Sequence, residues 1–222
     1  MSPRPSSRRH RGSIAGGLLL LALTAVPASA TAPADAEVEV LVVARDFEGI
    51  KSAGPEVMPV LVRLYRASDP ERRADVANVL YWLGWKSDEA AEAMLGDAHT
   101  DHRRLRLGVQ WALGRVSNDD VVVDTLLDTL VNDPNPLFRD KAGCGLASDQ
   151  IHLTEPQKLR LYQRLVDLLE SSNQETRSLA IRILDVHTGQ RKGYNAGFPP
   201  ARRAISVANW RRWLDEYRAA VS

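Results

Sequence analysis

Cysteine is almost absent from this sequence, which has one, Cys144, among 222 residues. A single cysteine forms no disulfide within its own chain, so packing alone must hold the fold together. Cys144 lies between Gly143 and Gly145 in a segment predicted to be helical. A small packed residue is the interpretation we favour, and a reactive thiol or an intermolecular bridge is the alternative.

Motifs for catalysis and metal binding are also missing. The sequence contains no H-E-x-x-H, no C-x-x-C, no G-x-S-x-G and no phosphate-binding glycine loop. Metal-ligand side chains cluster only at His99, Asp101 and His102, with Asp97 nearby. Three or four ligands must converge on a metal, and polar side chains are expected in a loop between helices. We therefore predict no catalytic residue, no metal site and no cofactor.

No apolar run reaches the roughly 20 residues that a membrane span needs. The run over residues 14–26 follows a head with four arginines and precedes Ala28-Ser29-Ala30. These three features are typical of a secretory signal peptide. We predict cleavage near Ala30 and export to the periplasm or the cell exterior, with no transmembrane segment in the mature chain. An uncleaved anchor is the alternative, and Arg8-Arg9 leave the twin-arginine route open.

A basic excess is lacking once residues 1–30 are removed. The remaining 25 Lys and Arg and 28 Asp and Glu give a net charge of −3. Nucleic-acid binding relies on a basic excess that neutralises phosphates, so we predict no nucleic-acid partner. Residues 31–189 carry −8 and residues 190–222 carry +5. The basic end could bind an anionic partner or be a solvated helix face.

A repeated helix signal is the main feature that the sequence does contain. Four times, a loop opens six positions before an arginine that small or apolar residues follow at helical spacing: Arg73, Arg103, Arg139 and Arg177. In the clearest copy, Asn135 is a good helix N-cap and Pro136 suits the first helical position. The second copy is the weakest because Arg106 stands where a small residue is expected. Its apolar stripe of Leu105, Val109, Ala112 and Val116 fits better if it is shifted by one position.

Other amphipathic helices are predicted before three of these arginines, over residues 55–65, 121–131 and 159–169. The unit is therefore a helix, a short turn and a helix, and one such pair must pack on others to bury its apolar face. Capping pairs predict helix starts at Ser68, Thr154 and Ser172. Residues 37–50 alternate like a strand, but we predict a helix because a lone strand would have no partner.

This pattern resembles the HEAT-repeat family in its short bacterial form. The matching residues are Pro59, Leu61, Leu64, Asp69-Pro70, Arg73, Val76, Leu80 and Gly84, and later Asp133-Pro134, Arg139, Ala142 and Leu146. The resemblance covers residues 37–189 and implies an all-α fold, an α-solenoid of about four helical hairpins. It implies a binding architecture and no particular activity. Residues 31–36 are predicted to be a flexible tail.

Residues 190–222 are predicted to form a cap, a Gly/Pro loop followed by a helix over residues 201–220. Three segments resemble the tail of a group of exported bacterial HEAT-repeat proteins: Thr188-Gly189-Gln190, Gly193-Tyr194-Asn195 and Trp210-Arg211-Arg212-Trp213. We expect these aromatic side chains to cover the open end of the helical stack. The alternative is a ligand site lined by Tyr194 and Trp210.

A second aromatic group suggests a surface for a partner. Tyr81 and Trp85 share a stripe distinct from the core positions of their helix, and Trp111 continues it on the next repeat. Exposed Trp and Tyr are frequent binding anchors, although packing between repeats is the alternative. We predict a non-catalytic, exported scaffold that binds another protein or a cell-envelope component. Some relatives of this repeat are linked to chromophore attachment, so the resemblance also implies an accessory or lyase-like role in an envelope enzyme system.

Overall fold

A computed structural model describes residues 34–147 and 151–221, and these residues form eleven helices and no strand. In chain order the helices are α1 (Asp35–Ala44), α2 (Phe47–Ser52), α3 (Val57–Ala67), α4 (Pro70–Leu83), α5 (Asp88–Leu95), α6 (Arg103–Val116), α7 (Asp120–Asn132), α8 (Pro136–Gly145), α9 (Glu155–Leu168), α10 (Gln174–Thr188) and α11 (Pro200–Val221). The predicted all-α class is confirmed. The predicted signal peptide, residues 1–30, lies outside the described residues.

The helices from α3 to α10 pack as consecutive pairs. Within each pair the two helices contact each other, and each helix also contacts its counterpart in the next pair. One layer therefore contains α3, α5, α7 and α9, and the other contains α4, α6, α8 and α10. The last helix, α11, packs against α9. None of the helices in the described segments is long and apolar enough to cross a bilayer.

The core follows the apolar stripes of these helices. In α6 the stripe of Leu105, Val109, Ala112 and Val116 is fully buried, which confirms a shift of one position in this copy of the pattern. Its partner α5 was not predicted, because a helix of eight residues shows little periodicity. Ser87 starts α5 by accepting a hydrogen bond from the Ala90 N–H at 3.2 Å.

Residues 37–50 are helical as predicted, but they belong to two helices. Arg45 ends α1 in the left-handed conformation, with φ of 56°. Asp46 then caps α2 by accepting the Gly49 N–H at 2.9 Å. The predicted tail is also wrong at its end, because α1 begins at Asp35, whose carboxylate pairs with Arg63 on α3 at 2.5 Å.

The predicted helix starts are correct at some loops and displaced at others. Asn135 caps α8, and the capping box at Thr154 opens α9. The starts predicted at Ser68 and Ser172 are wrong by one residue, because the caps are Asp69 and Asn173. Asp69 precedes a proline, which requires an extended residue before it.

Glycine lets the backbones of α6 and α8 touch. A Cβ atom added to Gly114 would lie 2.1 Å from the carbonyl oxygen of Gly145. Gly143 and Gly145 are the two neighbours of Cys144 in the sequence, and Gly143 faces Ile183 on α10. Because both glycines face neighbouring helices, the residue between them points away, and Cys144 is exposed. The favoured interpretation of Cys144 as a packed residue is therefore wrong.

Candidate functional site

The arginines of the repeated pattern connect neighbouring inter-helix loops. Arg73 donates from one nitrogen to both carboxylate oxygens of Asp97, at 2.8 and 3.1 Å. The Tyr65 hydroxyl donates to the same carboxylate at 2.6 Å. Burial and this hydrogen bond to Asp97 raise the pKa of Tyr65 far above its usual value. These contacts join α3 and α4 to the loop that follows α5.

The arginine that makes the loop contact in the second copy of the pattern is Arg106, rather than the predicted Arg103. Arg103 is exposed, whereas Arg106 forms an ion pair with the buried Asp133 and lies over the Phe138 ring, 4.0 Å from its centre. With Arg106 the four arginines are 33, 33 and 38 residues apart. The arginine that makes the loop contact in this copy thus lies three positions after the one predicted.

The remaining two arginines hold loops through backbone carbonyls. Arg139 donates to the carbonyl of Asp133 at 2.9 Å. Arg177 is 6% exposed, and it donates to the carbonyls of Ser171 and Ser172 at 2.7 and 2.8 Å and to that of Ala196 at 2.9 Å. All of these guanidinium groups are used in holding loops, which supports the structural role predicted for this position of the repeat.

Two of the side chains considered as metal ligands, Asp97 and His102, have structural contacts. The carboxylate of Asp97 binds Arg73 and Tyr65, as described above. His102 caps α6, since its Nδ1 accepts the Leu105 N–H at 3.3 Å, and its Nε2 lies 3.0 Å from a Glu71 carboxylate oxygen. In the described segments, three or more potential ligands do not converge anywhere.

The Gly/Pro loop after α10 is fixed at several points. Gly189 ends α10 in the left-handed conformation, with φ of 67°, and the Thr188 hydroxyl donates to the Leu184 carbonyl at 2.6 Å. Tyr194 is 3% exposed, and its hydroxyl donates to the Leu169 carbonyl at 2.5 Å. The segment therefore folds back onto the ends of α9 and α10.

Aromatic side chains of α11 cover α9. Trp213 lies between the rings of Trp210 and Tyr217, with centres 5.3 Å from each, and both Trp213 and Tyr217 contact Tyr162 on α9 at 5.4 Å. Burial raises the pKa of Tyr162 to about 12. Trp210 is completely buried, so neither it nor Tyr194 offers a surface to a ligand in this structure.

The three residues predicted as a binding surface are all half-buried, and the structure brings two of them together. The rings of Tyr81 and Trp111 lie 5.8 Å apart, between α4 and α6. Trp85 packs against the core, and no ring contact among the described residues joins it to these two. Helical spacing fails for Trp85 because α4 ends at Gly84, whose φ is 61°.

Two further aromatic residues extend this group. Trp82 is 58% exposed, and its ring centre lies 5.2 Å from that of Phe47 on α2 and 6.4 Å from that of Tyr81. We call Phe47, Trp82, Tyr81 and Trp111 the aromatic stripe. Val79 and Leu80 mark the buried face of α4. Helical spacing from these two residues could have identified Trp82 as outward-facing. No local signal could have identified Phe47, because its contact is made across two helices.

Basic side chains flank the aromatic stripe. The Arg115 guanidinium lies 5.0 Å from the centre of the Tyr81 ring, and the Lys141 ammonium lies 5.4 Å from that of Trp111. Lys86 is exposed near Arg115, and burial of part of its side chain and the charge of Arg115 both lower its pKa. Apolar rings and cations thus lie side by side along the stripe.

The stripe consists of phenylalanine, tyrosine and tryptophan side chains, and its four residues do not form a nucleophile–base pair or a metal site. Comparisons of the chain with known protein families, with curated proteins and with solved structures found no match to any of them.

Proposed function

We propose that this protein is a non-catalytic, exported interaction module that binds a protein or another cell-envelope component through the aromatic stripe. The stripe includes residues of α2, α4 and α6, so it needs the folded arrangement of several helices. We further propose that the paired helices form a HEAT-like α-solenoid. The contacts of each helix with its counterpart in the next pair, and the arginine that recurs at each loop, support this part of the proposal.

The exposed Trp82 is the observation that carries the proposal. Burying a tryptophan stabilises a fold or an interface strongly, so tryptophan is usually largely buried. Trp82 leaves 58% of its surface in water, beside three other aromatic residues. Trp, Tyr and Arg are the residue types that contribute most to binding at protein interfaces. Export rests on the signal-peptide pattern of residues 1–30.

The test is crosslinking in envelope fractions with wild type, Trp82→Ala and a control, Ile205→Ala. Ile205 is 67% exposed on α11, so both variants remove a large exposed apolar side chain. We expect a crosslinked partner with wild type and with Ile205→Ala, and at least a tenfold lower yield with Trp82→Ala. Equal yields from the two variants would contradict the proposal.

A further inference from the structure

The basic side chains beside the aromatic stripe are poorly neutralised. Among the described residues, Arg115 and Lys86 take part in none of the ion pairs. Lys141 pairs with Asp140 at 3.1 Å, but Arg182 uses the same carboxylate. Partial burial alone would raise the pKa of Asp140, yet Lys141 and Arg182 hold it below the usual value. The Asp140 carboxylate therefore pairs with both Lys141 and Arg182, while Lys86 and Arg115 have no carboxylate partner among the ion pairs of the described residues.

The positions of these cations are fixed by the fold. Arg115 lies against the end of α4, where a Cβ atom on Gly84 would meet its guanidinium at 2.9 Å. Lys86 follows two residues after this glycine. A carboxylate placed between Lys86 and Arg115 would therefore lie next to Tyr81, over whose ring Arg115 is held. We call Lys86, Arg115 and Lys141 the cationic rim.

We propose that the partner is a protein segment that carries acidic side chains next to an aromatic or aliphatic anchor, an inference that rests on the proposed function. The anchor packs on Trp82 and Phe47, and the carboxylates bind Arg115 and Lys86. Charge complementarity of this kind directs association and rejects basic competitors. An anionic polysaccharide would supply carboxylates, but a protein segment better matches the apolar contact that Trp82 and Phe47 provide.

The experiment is a selection from a random 12-residue peptide library displayed on phage, with the purified product of the full chain as target. We expect the enriched peptides to be acidic and to contain an aromatic or aliphatic anchor. Their affinity for wild type should fall at least tenfold with Lys86→Glu and with Arg115→Gln. It should weaken between 50 and 300 mM NaCl, because salt screens exposed charges. Polygalacturonate, as an anionic polysaccharide, should compete only weakly.

Arg103→Glu is the matched control, since it reverses an exposed charge on the same helix about 12 Å before Trp111. Circular dichroism and thermal unfolding establish that each variant is folded. Enriched peptides that are neutral or basic, or whose affinity Lys86→Glu leaves unchanged, would overturn the acidic segment. If these peptides still lose affinity with Trp82→Ala, the proposed function survives.

Two other results would also overturn the inference. Strong, Trp82-dependent binding of polygalacturonate would identify a polymer as the occupant, and would leave the interaction module intact. Absence of any peptide or polysaccharide whose binding depends on Trp82 would reject both the acidic segment and the proposed function.

Discussion

At the scale of single residues, Gly114 is a position where the fold leaves no space for a side chain. Its α-carbon faces the backbone of α8, and backbone atoms cannot move aside as a flexible side chain can. A methyl group there must push α6 and α8 apart, and overpacking of this kind costs about 1–3 kcal/mol or more.

We expect Gly114→Ala to lower the free energy of unfolding by about 2 kcal/mol, because an overpacking cost of about 3 kcal/mol exceeds the roughly 1 kcal/mol that alanine gains in a helix. Urea unfolding followed by circular dichroism measures this. Gly96→Ala is the control, because a Cβ atom there meets nothing within 4 Å and its φ is −59°. That variant should match or slightly exceed wild type. Equal stability of the two variants would contradict the close approach.

Arg106 gives a second prediction for a single residue. Its partner Asp133 has a side chain that is 2% exposed, so removing the guanidinium leaves a buried charge without its counter-ion. We expect Arg106→Met to cost about 3–5 kcal/mol of unfolding free energy, and Arg103→Met to change it by less than about 0.5 kcal/mol. If urea titrations showed a larger loss of stability for Arg103→Met than for Arg106→Met, Arg103 would be the arginine of this repeat, as first predicted from the sequence.

These residues also indicate what the sequence can predict at this scale. Periodicity located the buried stripe of α6, because burial follows directly from apolar spacing. It did not distinguish Arg103 from Arg106, since the choice depends on an aspartate 27 residues later. It misplaced Cys144 because flanking glycines look equally small whether they face solvent or another helix.

At the scale of helices, the two aromatic groups differ in burial. Trp210 of α11 is completely buried, and Trp82 lies on the exposed side of α4. We expect Trp210→Ala to destabilise the fold by about 3–5 kcal/mol. Trp82→Ala should cost less than about 1.5 kcal/mol, since mainly its contact with Phe47 is lost.

Thermal unfolding of the two tryptophan variants tests both expectations. A large loss of stability in Trp82→Ala would mean that the stripe stabilises the fold, and would remove the main support for a binding surface. A small loss in Trp210→Ala would mean that α11 does not act as a cap.

Helix boundaries were predicted where the chain itself carries the signal. Asn135 with Pro136, and Thr154 with Gln157, act within one turn and were identified correctly. The break at Arg45 was missed, because arginine has no preference for the left-handed conformation and a long-range contact between α1 and α4 accompanies it. The short helix α5 was missed, although Ser87 caps it, because eight residues give only about two turns of periodicity.

At the scale of the whole molecule, export makes a direct prediction about the N-terminus. If residues 1–30 form a signal peptide, the product recovered from an exporting bacterial host begins near Thr31 and has a net charge of −3. N-terminal sequencing and intact mass measure this. Recovery from the cytosol with residues 1–30 intact would refute export.

The pH dependence of the stability of the whole molecule tests the hydrogen bond between Tyr65 and Asp97. The pKa of Tyr65 is raised on folding, so the unfolded chain loses this proton first, near pH 10. Its contribution is therefore complete below pH 10 and falls by about 1.4 kcal/mol for each pH unit above it. We expect the stability difference between wild type and Tyr65→Phe to shrink between pH 9 and 11. A constant difference in urea titrations would show that Tyr65 is not held by Asp97.

The exposed thiol of Cys144 has a practical consequence. It is the only sulfhydryl in the sequence, and it precedes Gly145, whose backbone makes the contact with Gly114. A single maleimide dye or nitroxide can therefore be attached without mutagenesis. Spectroscopy of such a reporter would show whether peptides titrated onto the aromatic stripe change the surroundings of α8, whose Lys141 lies over the Trp111 ring.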